Sequence, residues 1–372
     1  MNTFEHALRR ALVGASLCLL ACAVSPEASA GGSTPAPLGC APTSIVTTAD
    51  DDGAGSLREA IETVCNEGTI TFAAPFQIVL SSQILVDKAV TLDGQIAVSS
   101  RGMAATASIS GGGVSRVFEV ETTGALTLHR LRIRDASTSG RGGAIRNRGM
   151  LDIIECSFDG NFAGTEGGLG GGAILNDGGA ILTVVGSTFT ANTAGRGAAL
   201  FNGGEAHLLN STFSANTPRD TEPAGAIIRE GAIQNRGTLV ATHITVTANG
   251  EPGDIGIGGL FGFGGDLSLI NSIIADNAGK QCDAFGAVQS LALLSSGTTC
   301  APDVFGDADL SELGDFGGPT ATNALGENSV AIDAGDAAFC AELDQRGVAR
   351  PGGACDLGAF EAQIVIFGDG FE

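Results

Sequence analysis

The chain has no tryptophan and no tyrosine, four histidines, and 19 lysines and arginines against 41 aspartates and glutamates. Without Trp or Tyr it lacks the broad aromatic platforms on which enzymes hold sugar rings. Scarce histidine and the absence of any C-x-x-C pair argue against a zinc site. The formal charge of −22 disfavours nucleic acid, anionic lipid and acidic polysaccharide, all of which it would repel. Beyond the first thirty residues no apolar run approaches the length of a membrane-spanning helix. Abundant instead are glycine, 57 of 372 residues, and apolar residues at 43%, with phenylalanine as the sole aromatic. That much apolar material excludes a disordered chain, and so much glycine without a Gly-x-y period points to many tight turns.

Residues 1–30 read as an export signal. Arg9 and Arg10 form its basic start, Ala11 to Val24 its apolar stretch, and Ala28-Ser29-Ala30 its small-residue cleavage site. A competing reading is lipoprotein processing at Cys22, because Leu19-Leu20-Ala21-Cys22 loosely resembles a lipobox. Cleavage after Ala30 leaves Cys40, Cys65, Cys156, Cys282, Cys300, Cys340 and Cys355 in a compartment that permits disulfides. Nearness in sequence pairs Cys340 with Cys355 and Cys282 with Cys300, and Cys40 with Cys65 can form a third bridge. Cys156 is then the odd thiol.

Self-similarity dominates the middle of the chain. Leu151 to Asn161 (LDIIECSFDGN) recurs as Leu182 to Asn192, Ala206 to Asn216, Leu239 to Asn249 and Leu267 to Asn277, with a degenerate first copy at Leu126 to Ala136. Successive starts are separated by 25, 31, 24, 33 and 28 residues, which marks a solenoid with loops of variable length. Apolar residues alternate at the start of each copy, so the copies are strands, and no copy carries a helix-length amphipathic pattern. A second signature precedes each of four copies: Gly142-Gly-Ala-Ile145, Gly171-Gly-Ala-Ile174, Gly197-Ala-Ala-Leu200 and Gly231-Ala-Ile233, followed by Asn147, Asn176, Asn202 and Asn235. Stacking at about 4.8 Å predicts one column of Phe158, Phe189 and Phe213 and another of Asn161, Asn192, Asn216, Asn249 and Asn277, each Asn suited to a left-handed turn and to bonding along the stack. Cys156 aligns with Ser187, Ser211, Ile244 and Ser272 and is expected to be a small, inert ladder residue.

An open solenoid exposes strand edges at both ends, so caps are expected. Ser56-Leu-Arg-Glu59 is a capping box that opens a helix with Leu57, Ala60, Ile61 and Val64 on one face. Thr69 to Phe72, Gln77 to Leu80 and Ala89 to Leu92 read as the first strands, with a turn at Asp93-Gly94. Asp344 to Gly347 and Cys355 to Glu361 read as the C-terminal cover, with Arg346 and Arg350 paired to Asp356 or Glu361. The organisation predicted is a signal at 1–30, a linker at 31–45, a parallel β-helix at 46–300, an irregular cap at 301–361 and a tail at 362–372.

Ala49-Asp-Asp-Asp-Gly-Ala-Gly-Ser-Leu-Arg-Glu-Ala-Ile61 resembles the CSLREA domain that opens exported bacterial β-helix proteins, although Gly55 stands in place of its cysteine. The alternation of GGAI with F-x-x-N is similar to polymorphic outer-membrane protein repeats. Gly317-Gly-Pro-Thr320, Ala331-Ile-Asp-Ala-Gly335, Asp344-Gln-Arg-Gly347 and Cys355 to Glu361 resemble the choice-of-anchor Q family. The resemblance covers residues 49–361. It implies a single right-handed parallel β-helix of the pectin-lyase-like kind, secreted or at the cell surface, mostly without assigned activity; there the tail Ile364 to Glu372 would be a sorting signal or a last strand.

Two functions follow from this reading. The first is a monomeric surface scaffold of adhesin-like character that presents loops such as Asn216 to Gly231 and Asn249 to Leu267 to a protein or glycan. The second is a polysaccharide lyase or glycoside hydrolase, whose chemistry needs suitably spaced carboxylates. Asp135 and Asp159 sit one position out of register and are expected on opposite faces, and Asp276 lies several coils away. No catalytic, cofactor-binding or metal-ligating residue is assigned. Calcium at Asp50 to Asp52, or around Asp307 and Asp309, is a minor third possibility.

Overall fold

The structure, a computed structural model, describes residues 39–95, 106–164, 170–219, 230–253, 256–351 and 353–363. The expected signal peptide and the tail beyond 363 lie outside the described residues. The chain is an all-β parallel solenoid, with a single α-helix among the described residues. Each coil contributes a strand to three long parallel stacks. The first stack runs through Ile84–Val86, Phe118–Val120, Ile145–Asn147, Ile174–Asn176, Leu200–Asn202 and Ile233–Asn235. The second runs from Ala41–Val46 and Val64–Phe72 through Ala89–Asp93, Ala125–His129, Met150–Ile154, Ile181–Val185, Glu205–Leu209 and Thr238–Thr242. The third runs from Gln77–Val79 through Ser108–Ser110, Arg132–Arg134, Ser157–Asp159, Thr188–Thr190, Thr212–Ser214 and Thr245–Thr247. In the last two coils, Ile257–Ala275 and Lys280–Ser295 each contribute to all three. A fourth, short stack joins Ser137–Thr138, Phe162–Ala163, Thr193–Ala194 and Thr217–Pro218, and it leaves no pattern in the sequence because its strands are two residues long.

Strand alternation sends every second residue of the second stack inward, so Leu126, Leu151, Leu182, Ala206 and Leu239 lie over one another. Phe158, Phe189 and Phe213 form the expected column: their rings are stacked with centroids 4.8 and 4.6 Å apart and planes within 6°. These separations equal the coil pitch, so Phe189 lies between the other two rings, and Ile133 and Val246 continue the column at its ends.

Asn161, Asn192, Asn216, Asn249 and Asn277 are almost wholly buried and linked in series, each amide donating to the Oδ1 of the next at 2.8 to 3.0 Å. The left-handed residue at this corner is the one before each asparagine, not the asparagine itself. Asp135, Gly160, Ala191, Ala215, Ala248 and Asp276 have φ between 48° and 65°. The asparagine bridges coils instead, its Oδ1 also accepting the backbone N–H of the asparagine below, which leaves the strained geometry to its neighbour. Asn147, Asn176, Asn202 and Asn235 build a second ladder of 2.8 Å bonds on the first stack.

Disulfides join Cys40 to Cys65, Cys282 to Cys300 and Cys340 to Cys355, with Cα separations of 4.8, 5.6 and 5.9 Å. Cys156 is free and buried, and burial pushes its thiol up to about 12. Its sulfur accepts the Leu131 N–H at 3.5 Å, just as Ser187 Oγ accepts the Cys156 N–H at 3.0 Å.

At the N-terminal end Leu57–Thr63 (α1) is capped by Ser56 Oγ on the Glu59 N–H, and the Glu59 carboxylate returns to the Gly55 N–H at 2.5 Å. Leu57, Ala60 and Ile61 are buried against the first coil. Val64 is not on the helix; it caps α1 and starts the next strand. The fold begins at Ala41, inside the segment expected to be linker, because Ala41–Val46 pairs with Val64–Phe72.

Candidate recognition edge

Three corners of the coil are short. From Ala125 on, two residues separate the second stack from the third, as at 155–156, 210–211 and 243–244, and two separate the third from the fourth, as at 160–161 and 215–216; the two earlier second-to-third connections are longer, 73–76 and 94–107. The first-to-second corner holds two at most levels (87–88, 148–149, 203–204, 236–237) and four at 121–124 and 177–180. In the coils that carry the fourth stack, length varies most between that stack and the point where the chain regains register through Gly170, Arg196, Glu230 and Ile257, which bridge one another in parallel. That connection is residues 164–169 in one coil, residue 195 alone in the next, and residues 219–229 in the one after. Residues 165–169, 220–229 and 254–255 lie outside the described residues.

Glycine sets the return. Gly171 (φ 76°) and Gly197 (φ 53°) precede the first stack in left-handed geometry, and a Cβ on either would collide with the carbonyl of Ile174 or Leu200. Beside this edge, the outward column of the first stack reads Leu175, Phe201, Gln234 and Phe261 in register. Arg196 pairs with Glu230 at 3.1 Å, Glu230 also binds the Gln234 amide, and Gln234 Oε1 is buried without a partner among the described residues. The Arg236 guanidinium lies over Phe201 and Phe263, 5.5 and 4.9 Å from their centroids.

The long loop expected at 249–267 is mostly strand, since Ile257–Ala275 is continuous. Asp135 and Asp159 are both on the surface side, against the expectation of opposite faces, because Asp135 sits in the left-handed turn where alternation no longer applies. Each has its own cation: Arg134 Nε lies 2.6 Å from Asp135, and Arg132 binds Asp159. Asp276 occupies the same corner position as Asp135 five coils on, and burial followed by the neighbouring Asp307 raises its pKa. The sequence offered no sign of Asp152, a carboxyl on the second stack whose pKa is raised by burial and held down in part by Thr183.

Asp51 is held by Ser81 and by Arg58 at 2.8 Å, and Asp307 Oδ1 accepts the Asp309 N–H at 2.9 Å. No group of three His, Cys, Asp or Glu side chains suited to a metal occurs among the described residues. Charge instead forms ladders invisible before register is known. Glu119 contacts Arg116, Arg146 and Arg148 at 3.2, 3.7 and 2.6 Å. His129 lies between Asp93 and Glu155, whose hydrogen bonds raise it to about 9 against a smaller opposing effect of burial.

The C-terminal segment is irregular, as expected, and its course is lateral. After Val304 bridges Leu294 it runs back along the flank of the third stack. Gly358 N–H reaches Asn271 O, Ala359 N–H reaches Thr245, Asn210 donates to Leu343 O, and Thr320 donates to Gly186 O. Gln345 is its pivot: Nε2 donates to Thr188, Thr320 and Ala321, each at 2.9 Å, and Oε1 accepts Thr212 at 2.7 Å. Arg350 pairs with Glu361 at 2.6 Å, as expected. Arg346 does not pair with Asp356 or with a Glu361 carboxylate; it binds Asp344 at 2.6 Å and lies 3.5 Å over the Phe360 ring. Thus the cations of this segment close it on itself and onto the rod.

Compared with known proteins, the chain matches no family model, no curated protein and no solved structure. No helix among the described residues is long and apolar enough to cross a membrane.

Proposed function

We propose that this protein is an exported, surface-displayed scaffold whose role is recognition of a protein or glycan through the variable connections along one edge of a rigid rod. The observation that carries this reading comes from the four coils that hold the fourth stack: there the corners bounding the third stack stay at two residues and the first-to-second corner at two or four, while the connection between residues 138 and 141, 163 and 170, 194 and 196, and 218 and 230 ranges from one residue to eleven. Variation gathered on one line and excluded from the packing surfaces is how solenoids vary a binding surface without disturbing the core. The signal-like N-terminus, three disulfides and the resemblance of residues 49–61 to the CSLREA domain support export.

The test begins with binding of the cleaved chain to glycan arrays and to surface extracts of neighbouring cells. Residues 220–228 are then replaced by Gly-Ser-Gly; Pro218 is left in place because it belongs to the fourth stack. Loss of binding with an unchanged melting temperature supports the reading, and a cooperative loss of fold or unchanged binding refutes it. New reducing ends or unsaturated sugars in the same glycan panel would replace it with the polysaccharide-cleaving alternative.

A further inference from the structure

The last coil ends on a strand edge that is largely uncovered. Lys280–Ser295 pairs with Ile257–Ala275 on one side. On its other side the chain returns over the third stack, where Val304 bridges Leu294, and over Cys282, whose carbonyl accepts the Thr299 hydroxyl. From Ala284 to Leu291 no described strand pairs with the outer edge. Phe285 is 63% exposed and Phe263, beneath it in register, 50%. Val288 stands over the buried Leu267 yet is itself only partly buried, so the core column opens here.

Strand edges that face water are ordinarily protected by charge, proline or a covering segment. The stretch 284–291 has neither charge nor proline, and the returning segment reaches it where the Ser290 hydroxyl donates to Ala301 O at 2.9 Å; residues 284–302 contain no charged side chain in a chain of net charge −22. The opposite tip differs. There α1 covers the first coil, and Asp50, Asp51, Asp52, Glu62 and Glu67 surround it.

We infer that the bare edge at 284–291 joins the same edge of a second copy about a twofold axis, tip to tip. Identical edges related by a twofold run antiparallel and can exchange main-chain hydrogen bonds, and the contact closes at two copies. The occupant follows from charge. Two strongly acidic rods repel least when they meet only through their uncharged ends and point away from each other. A head-to-tail arrangement would instead set the uncharged edge against a tip covered by α1 and ringed by carboxylates; Asp283, next to the edge, is already paired with Lys280 at 2.7 Å. The joined pair presents two recognition edges from one particle, although the contact itself does not depend on the recognition role.

Sedimentation and light scattering of the chain cleaved after its leader test this. A dimer is expected, together with a variant Phe285→Asp that self-associates about tenfold more weakly or worse while keeping the same circular dichroism and melting temperature. Val114→Asp, at a site 74% exposed near the other tip, should leave the dimer intact. Truncation after Gln363 should leave it intact too. A full chain that is monomeric at every concentration overturns the inference, as does an unaffected Phe285→Asp dimer or assembly beyond two copies. Dimerisation that appears only after truncation overturns it as well, by making the tail the occupant.

Discussion

Asn161 donates from Nδ2 to Oδ1 of Asn192 at 2.9 Å, and the same oxygen accepts the Asn161 backbone N–H at 3.0 Å. One buried acceptor thus fixes both the main chain and the side chain of the coil below. Asn192 repeats the arrangement with Asn216 and adds a bond to Phe158 O at 3.1 Å. Asn192→Ala orphans several buried groups together, and at roughly 1–3 kcal/mol for each unsatisfied group the loss should reach about 3 kcal/mol or more in chemical denaturation. Gln281, which terminates the ladder from a partly buried position, should cost only about 1 kcal/mol when replaced by Ala.

The aromatic column predicts graded effects. Phe189→Ala opens a cavity between two stacked rings and should destabilise by about 3–5 kcal/mol, whereas Phe189→Leu, which resembles the Val246 and Ile274 levels, should lose less. Cys156→Ser should fall within about 1.5 kcal/mol of the parent, because serine already holds that position at 187 and 211. The Cys156 thiol should resist alkylation in the folded chain and react on unfolding.

Two histidines set opposite pH limits. Burial, then the nearby Arg350, lowers His243 to about 3. The unfolded chain therefore binds the extra proton first, and His243 makes stability fall as pH drops from about 6.5 towards 3. Raised pKa values at Asp356 and Glu361, caused mainly by burial, act in the other direction. The variant His243→Gln isolates the histidine: its melting temperature should depend less steeply on pH below 6. His129, raised to about 9, contributes stability that is complete below about 6.5 and lost as pH climbs through 9. His129→Gln should flatten the alkaline side of the same curve.

Gln345→Ala removes two hydrogen bonds that hold the flank segment to Thr188 and Thr212 on the rod and two that tie it to its own Thr320 and Ala321. Limited proteolysis should then cut within 320–361 faster, while the coils keep their circular dichroism signal. Equal protection of parent and variant would show that Arg350 and the Cys340–Cys355 bridge suffice.

The sequence reveals what repeats. Phe158, Phe189 and Phe213, the asparagines from 161 to 277, the capping box and the spacing of Cys282 with Cys300 all carry a local or periodic signal. The sequence places the left-handed corner one residue late, because Ala191, Ala215 and Ala248 have none of the side-chain chemistry that marks such turns. Contacts such as Gln345 with Thr188 leave no trace, since they join one aperiodic residue to one repeat. The Glu119 and His129 clusters are hidden for a related reason: their partners become neighbours only when coils of unequal length fall into register. The variable edge is half visible in the sequence, as irregular spacing, but the corner that carries it is located only by the fourth stack.

The flank segment touches Gly186, Asn210, His243 and Asn271, which occupy the same corner position on four successive coils. It therefore works as a gauge of fixed length laid against the rod. Duplication or loss of a whole coil between residues 186 and 271 would shift each contact by one pitch and unseat the segment. A coil added or removed before residue 174 would leave these four contacts in place.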